Sequence, residues 1–243
     1  MDRFSREEQL IGREGLEKLE QAHVAVFGAG GVGGYVIEAL ARAGVGALDI
    51  IDNDDVSLTN CNRQILALES TLGKPKAQAA KERVLDINPQ CRAEAIPLFF
   101  SEDTAAQFDF SQYSYVCDAI DTVSAKVALI RCCKQAGVPV ISCMGAGNKL
   151  DASAFQVEDM EKTSVCPLAR VMRRELKKLG IQKVKVVYST EPPLPSLTPC
   201  EAKGTAARPV PGSISYAPAM AGLLLAAEVI RDLLKQKKAW GDL

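Results

Sequence analysis

Histidine is almost absent from this 243-residue chain: His23 is the only one. It opens a strand-like run ahead of a glycine-rich turn, where a structural or surface role suits it better than catalysis. No Tyr-x-x-x-Lys occurs, so the acid–base partners of hydride transfer are not visible. Aromatic residues make up 5 %, which leaves few platforms for stacking splayed bases. Excess charge of one sign is missing too: 29 Lys and Arg against 30 Asp and Glu give −1, and any nucleic acid must meet a local basic patch. The eight cysteines (61, 91, 117, 132, 133, 143, 166 and 200) include no CxxC pair, which removes the spacing of a structural zinc site. The first eighteen residues contain no apolar core of a leader, so free thiols and a cytoplasmic location are expected. The longest apolar or small run, 217–227, is about half a membrane span, and no stable span is expected.

Hydrophobic residues reach 47 %, too many for a disordered chain and enough for a real core. Strand-like and helix-like segments alternate through the first 145 residues. Strands are expected over 23–27, 48–51, 115–120 and 138–143. Helices are expected from the glycines to Ala43, over 74–87 and over 124–136. Ser5 and Glu8 have capping-box spacing and predict a helix opening at Ser5. This rhythm predicts an α/β fold: a doubly wound, mainly parallel, Rossmann-like sheet with helices on both faces. Beyond Met144, strand candidates at 154–157 and 184–188 flank one amphipathic helix. An irregular stretch over 190–211 follows, with six prolines. No linker divides the chain. A single domain over 1–243 is expected, with a nucleotide-binding core (1–145) and a substrate- and dimer-side extension (146–243).

Gly28, Gly30, Gly31 and Gly33 form G-x-G-x-x-G between a strand and a helix. Such glycines allow a tight turn and close backbone approach to phosphates at a helix N-terminus; a tight turn without a ligand would use the same residues. Asp52, 19 residues after Gly33, can accept hydrogen bonds from an adenosine ribose. These features fit NAD and ATP equally. The next segment favours ATP, because Asn60, Arg63 and Lys76 could converge on a polyphosphate whose oxygens gain charge as pyrophosphate leaves. Asp121 closes another strand and is a natural Mg²⁺ ligand. Taken singly, Arg63 and Lys76 also read as solvated charges and Asp121 as a helix N-cap.

In this order and spacing, residues 28–34, 52–64, 73–76 and 119–122 resemble the ubiquitin-activating-type adenylyltransferases, the superfamily of the molybdopterin- and thiamine-pathway activators. The likeness covers roughly the first 145 residues. It implies that Asp52 holds the ribose, that Asn60, Arg63 and Lys76 hold phosphates, and that Asp121 positions magnesium. Residues 3–6 resemble the family's N-terminal element, which implies a homodimer with Arg6 of the partner subunit entering the site. The catalytic set so implied is Arg63, Lys76, Asp121 and Arg6.

Residues 159–170 and 187–191 look like the branch that dehydrates threonylcarbamoyladenosine in tRNA. That likeness implies ATP-dependent adenylation of a threonyl carboxylate, followed by ring closure within the substrate. Arg170, Arg173, Arg174, Lys177 and Lys178 share one helical face and could meet tRNA phosphates, or could simply be a solvated face. Cys166 and Cys200 are the candidates for a covalent carrier step, which ring closure within one substrate does not need. Two other classes stay open: an adenylyltransferase for a ubiquitin-like sulfur-carrier protein, and a non-catalytic adenine-nucleotide-binding protein. A second copy is expected against a C-terminal apolar surface of Ala219, Gly222, Leu223, Ala226, Ala227, Ile230, Leu233 and Leu234.

Overall fold

The computed structural model describes residues 3–197 and 211–234. Its strands are β1 (His23–Phe27), β2 (Ala47–Ile51), β3 (Arg92–Ile96), β4 (Tyr115–Asp118), β5 (Val140–Cys143), β6 (Phe155–Asp159) and β7 (Lys185–Ser189). They form one sheet in the order β3-β2-β1-β4-β5-β7-β6, parallel except for β6, which pairs antiparallel with β7 at the edge. The helices are α1 (Ser5–Glu20), α2 (Gly33–Arg42), α3 (Lys76–Ile87), α4 (Val123–Ala136), α5 (Pro167–Lys178) and α6 (Ala217–Leu234). The expected doubly wound α/β fold is the observed one.

Alternation along β1 shows how the sheet separates two cores. Val24 and Val26 join the core under α2, α3 and α6. Ala25 and Phe27 join the opposite core, built with α4, α5 and the loops before β4. The scarce aromatics are concentrated there: the rings of Phe27 and Phe100 meet edge-on at 4.9 Å, with Phe108 and Phe110 around them.

The register fixes the site. Ile51, Phe27, Asp118 and Ser142 lie in one row across β2, β1, β4 and β5. Residues just past that row therefore emerge together at the C-terminal edge: Gly28, Asp52 and Ala119. β1 lies between β2 and β4, at the point where the winding reverses, which is where open α/β sheets bind ligands.

Several expectations are corrected. The helix expected from 74 begins at Lys76, because Pro75 takes the N-cap position. β4 stops at Asp118, and the last two residues of the expected strand turn into the site loop. β3 was not foreseen; its Arg-Ala-Glu-Ala-Ile sequence is half polar and short. The capping box does not form as expected, since Phe4 is the N-cap and Ser5 already lies inside α1. Half of the residues expected to meet a second copy are used internally: Ala219, Gly222, Ala226 and Leu234 are buried, with α6 packed on α2. Leu223 and Ala227 stay exposed, beside Tyr216 and Met220. No helix of the described residues is long and apolar enough to cross a membrane. Cys200 and most of the proline-rich stretch lie outside the described residues.

Candidate active site

The glycine-rich loop joins β1 to α2. Gly28 has φ +93°, and a Cβ there would lie 2.7 Å from the carbonyl oxygen of Ala119. A Cβ on Gly33 would overlap the carbonyl oxygen of Gly28. Internal packing thus demands both glycines. Gly30 is different: nothing lies closer to its missing Cβ than the amide nitrogen of Gln64, at 3.7 Å. The space over Gly30 is free for a ligand to approach the backbone. α2 begins at Gly33 with no side-chain cap, so its positive end faces the same space.

Asp52 ties this loop to β2. Its Oδ2 accepts from the Ala29 N–H at 2.6 Å and its Oδ1 from the Asp54 N–H at 2.9 Å. Burial pushes its carboxyl above the ordinary value, against the pull of those two N–H groups and of Lys76. Lys76, in the first turn of α3, donates to Asp54 at 2.7 Å from a nearly buried position. An ammonium held by an exposed carboxylate can be handed to a phosphate.

Residues 57–64 form the opposite wall. Asn60 is buried, and its Oδ1 accepts from the Ser57 N–H at 3.1 Å, so only its amide NH₂ could serve a phosphate. The stem of Arg63 lies over the glycine loop, with Cγ 3.6 Å from the missing Cβ of Gly31, and its Nη1 donates to Thr59 O and Asn62 Oδ1. Gln64 is the last residue of the 52–64 segment. It is 7 % exposed, and its carbonyl oxygen is buried without a hydrogen-bond partner. Next to Gly30, that amide is a group the sequence reading missed; its signal was adjacency to Arg63.

Asp121 is exposed at the C-terminal end of β4, where it accepts from the Thr122 hydroxyl at 3.2 Å. A lone accessible carboxylate suits Mg²⁺, which takes one or two carboxylates and completes its shell with phosphate oxygens and water. Among the described residues no group of three or more His, Cys, Asp or Glu could hold a metal. The structure thus brings Gly28, Gly30, Gly31, Gly33, Asp52, Asn60, Arg63, Lys76 and Asp121 to one edge of the sheet.

Arg6 is exposed in the first turn of α1. The adjacent Phe4 ring packs on Gly44, and Arg3 donates to Ile87 O. These contacts lie just past the far end of α2 and at the last residue of α3. Ten residues of α2 span about 15 Å, so Arg6 stands far from the crevice of its own chain. The α5 cations divide. Arg173 is turned inward and donates to Thr163 O at 2.6 Å and to the Thr163 hydroxyl. It therefore leaves the expected exposed stripe. Arg174 and Lys178 share Glu175, and all four of Arg170, Arg174, Lys177 and Lys178 are exposed. Cys166 is the N-cap of α5 and is 3 % exposed, a packed position for a carrier thiol. His23 bonds Asp49 at 3.0 Å, near the opposite edge of the sheet.

The sequence matches the ThiF family over residues 4–240. It is 44 % identical, over 97 % of this chain and 96 % of the relative, to a tRNA threonylcarbamoyladenosine dehydratase of Bacillus subtilis (strain 168). It is 42 % identical to the protein of the same name from Escherichia coli (strain K12), over 85 % of this chain and 81 % of that one. A crystal structure of the E. coli tRNA N6-threonylcarbamoyladenosine dehydratase in complex with ATP superposes with a TM-score of 0.86 at 36 % identity, covering 96 % of this chain and 94 % of the other.

Proposed function

The chain belongs to the ThiF family, and we propose that it is an ATP-dependent enzyme that cyclises threonylcarbamoyladenosine in tRNA, a net dehydration. The observation that carries this reading is likeness to the dehydratases along nearly the whole chain, the second half included. The missing CxxC pairs weigh against the molybdopterin- and thiamine-type activators, and with them against a sulfur-carrier protein as substrate.

ATP lies with its phosphates over Gly30 and the N-terminus of α2. Asp52 accepts from the ribose hydroxyls. The Asn60 amide, Arg63 and Lys76 hold phosphate oxygens, Lys76 exchanging Asp54 for the nucleotide. A threonyl carboxylate oxygen attacks the α-phosphorus; the bond to the bridging oxygen breaks, and pyrophosphate leaves with the electron pair. Arg63 and Lys76 face the charge that grows on those oxygens, where fixed cations act most strongly. Asp121 is the residue that would hold Mg²⁺, which when bound neutralises phosphate charge. In the second step a nucleophile of the threonylcarbamoyl group attacks the activated carbonyl and releases its proton to solvent, and AMP leaves. The ring closes within the substrate, so no enzyme thiol is required.

The remaining parts follow the same reading. Arg170, Arg174, Lys177 and Lys178 meet tRNA phosphates. The enzyme is a cytoplasmic homodimer in which Arg6 of the partner subunit completes the site. Exposed Tyr216, Met220, Leu223 and Ala227 offer an apolar stripe for the second copy. The test incubates the protein with ATP and tRNA carrying threonylcarbamoyladenosine, then weighs the nucleosides. Loss of one water is expected. Pyrophosphate exchange that depends on a carrier protein would instead support carrier activation, and tight ATP binding with neither reaction a non-catalytic role.

A further inference from the structure

Beneath Asp121 lies a knot of fully buried polar groups that the adenylation chemistry does not use. Asp118 ends β4 and Lys126 lies one turn into α4; both side chains are 0 % exposed, and they pair at 3.0 Å. The Lys126 ammonium also donates to the carbonyl oxygen of Ile120 at 2.9 Å. Asp118 Oδ1 accepts from the Ile120 N–H at 3.1 Å, and its Oδ2 from the Ser142 hydroxyl of β5 at 2.5 Å. Both backbone polar groups of Ile120 are thereby held, one by each member of the ion pair. Asp121 is the next residue along the chain.

The other side of this segment is fixed by the glycine loop. The Ala119 N–H donates to Phe27 O at 2.8 Å, and the Ala119 carbonyl fills the place of a Cβ on Gly28. The three residues leading to Asp121 are clamped between the phosphate-binding loop and the Asp118–Lys126 pair. Stability alone gives little reason for such a pair, since well-packed apolar residues of similar volume usually serve a fold at least as well. The pair gives direction: it holds the segment that leads to Asp121 at one distance from the glycine loop.

We propose that Lys126 is a positioning residue for nucleotide activation, setting the Asp121 carboxylate against the metal-bound phosphates through Ile120. It touches neither nucleotide nor substrate. The proposal rests on the role of Asp121 given above, and the test separates the two. ATP binding is titrated calorimetrically with and without Mg²⁺ in the parent, Asp121→Asn, Lys126→Met, Lys126→Arg and the apolar pair Asp118→Leu with Lys126→Met. Exchange of the Ile120 and Asp121 amides is followed in parallel. The double variant guards against an unpaired buried Asp118 unfolding the single one.

Expected is a tenfold or larger rise in the Mg²⁺ concentration for half-maximal tightening of ATP in Lys126→Met and in the folded apolar pair. Metal-free ATP affinity stays within about threefold of the parent, amide exchange quickens at 120–121, and Lys126→Arg recovers part of the response. If Asp121→Asn shows the defect and the folded Lys126 variants keep the parent's Mg²⁺ response, the positioning role is overturned while the role of Asp121 stands. If Asp121→Asn keeps the parent's response, the role of Asp121 fails and the proposal falls with it.

Discussion

The two edges of the sheet use polar residues in opposite ways. Towards the N-terminal edge, charges are closed among themselves: Asp49 takes hydrogen bonds from His23 and from the Tyr113 hydroxyl, at 3.0 and 2.9 Å. Tyr115 and Lys185 both donate to Asp232, and Lys185 also reaches Glu228 on α6. At the C-terminal edge, capacity is left open. Asp121 is exposed, Lys76 leans on a solvent-facing carboxylate, and a buried Gln64 oxygen has no partner. Polar groups that satisfy one another fasten α6 and the strands together. Groups held in place with bonding capacity to spare are what a ligand requires.

The sharpest contrast lies within the glycine loop. Gly33→Ala drives a methyl group into the Gly28 carbonyl and is expected to lose on the order of 4 kcal/mol or more, enough to prevent folding. Gly30→Ala meets no protein atom nearer than 3.7 Å and should melt like the parent, yet lose ATP affinity. Calorimetric melting and an ATP titration of both variants check this; a Gly30→Ala protein that binds ATP normally would remove the phosphate from above that residue.

Next in size are the charges of the crevice. Arg63→Ala, Lys76→Ala and Asp121→Ala should each slow adenylation by ~10²–10³, about 3–4 kcal/mol of transition-state stabilisation. Their thermal midpoints should barely move, because these side chains serve the crevice rather than the core. Tyr115→Phe reverses the pattern: it removes the bond from the buried Tyr115 hydroxyl to Asp232, which keeps Lys185 as a donor, and costs stability of about 0.5–1.5 kcal/mol, with turnover unchanged. Rates and melts of the four proteins would dissolve the contrast between the edges if each lost both properties together.

Acid separates the edges by sign. Burial works against the Asp49 charge, but hydrogen bonds from His23 and Tyr113 and the charge of Arg92 outweigh it and hold this carboxyl below the ordinary value. Its stabilising contribution is complete above the ordinary carboxylate range and is lost as pH falls through the lower folded value. Asp52 stands above the ordinary value because it is buried. Its contribution to the ligand-free fold is present at low pH and lost as pH rises through the raised folded value. Urea unfolding of the parent, Asp49→Asn and Asp52→Asn between about pH 3 and 6 should give difference curves of opposite slope.

Much of this contrast was legible in the sequence on one side only. The functional edge announces itself because its residues are consecutive or nearly so: glycines before a helix, Asp52 after a strand, Arg63 and Lys76 at short intervals. The fastening edge is written in pairs that tertiary packing creates, such as Tyr115 of β4 with Asp232 of α6, separated by more than a hundred residues. Lys126 carries no sequence signal for a related reason. Mid-helix lysines are usually solvated, and only the approach of Asp118 and Ile120 to the first turn of α4 gives this one a buried partner. Arg173 was misplaced because helical periodicity assigns a face but cannot see Thr163 arriving from the preceding loop.

That last case yields the smallest and most discriminating prediction. Arg173 and Lys177 sit one turn apart on α5 and look interchangeable in sequence. Lys177 is exposed and has no ion pair among the described residues, whereas Arg173 is half-buried against Thr163. If Lys177 meets a tRNA phosphate, Lys177→Ala should weaken tRNA binding a few-fold. It should also lower the slope of log K against log[salt] by about 0.7–0.9, one counterion fewer released. Arg173→Ala should leave that slope alone and lower stability by about 1–2 kcal/mol through lost hydrogen bonds to a buried threonine. Binding isotherms at four salt concentrations, with a urea melt of each variant, measure both effects. A Lys177→Ala protein with an unchanged slope would show that this helix presents its cations to water and that tRNA approaches by another face.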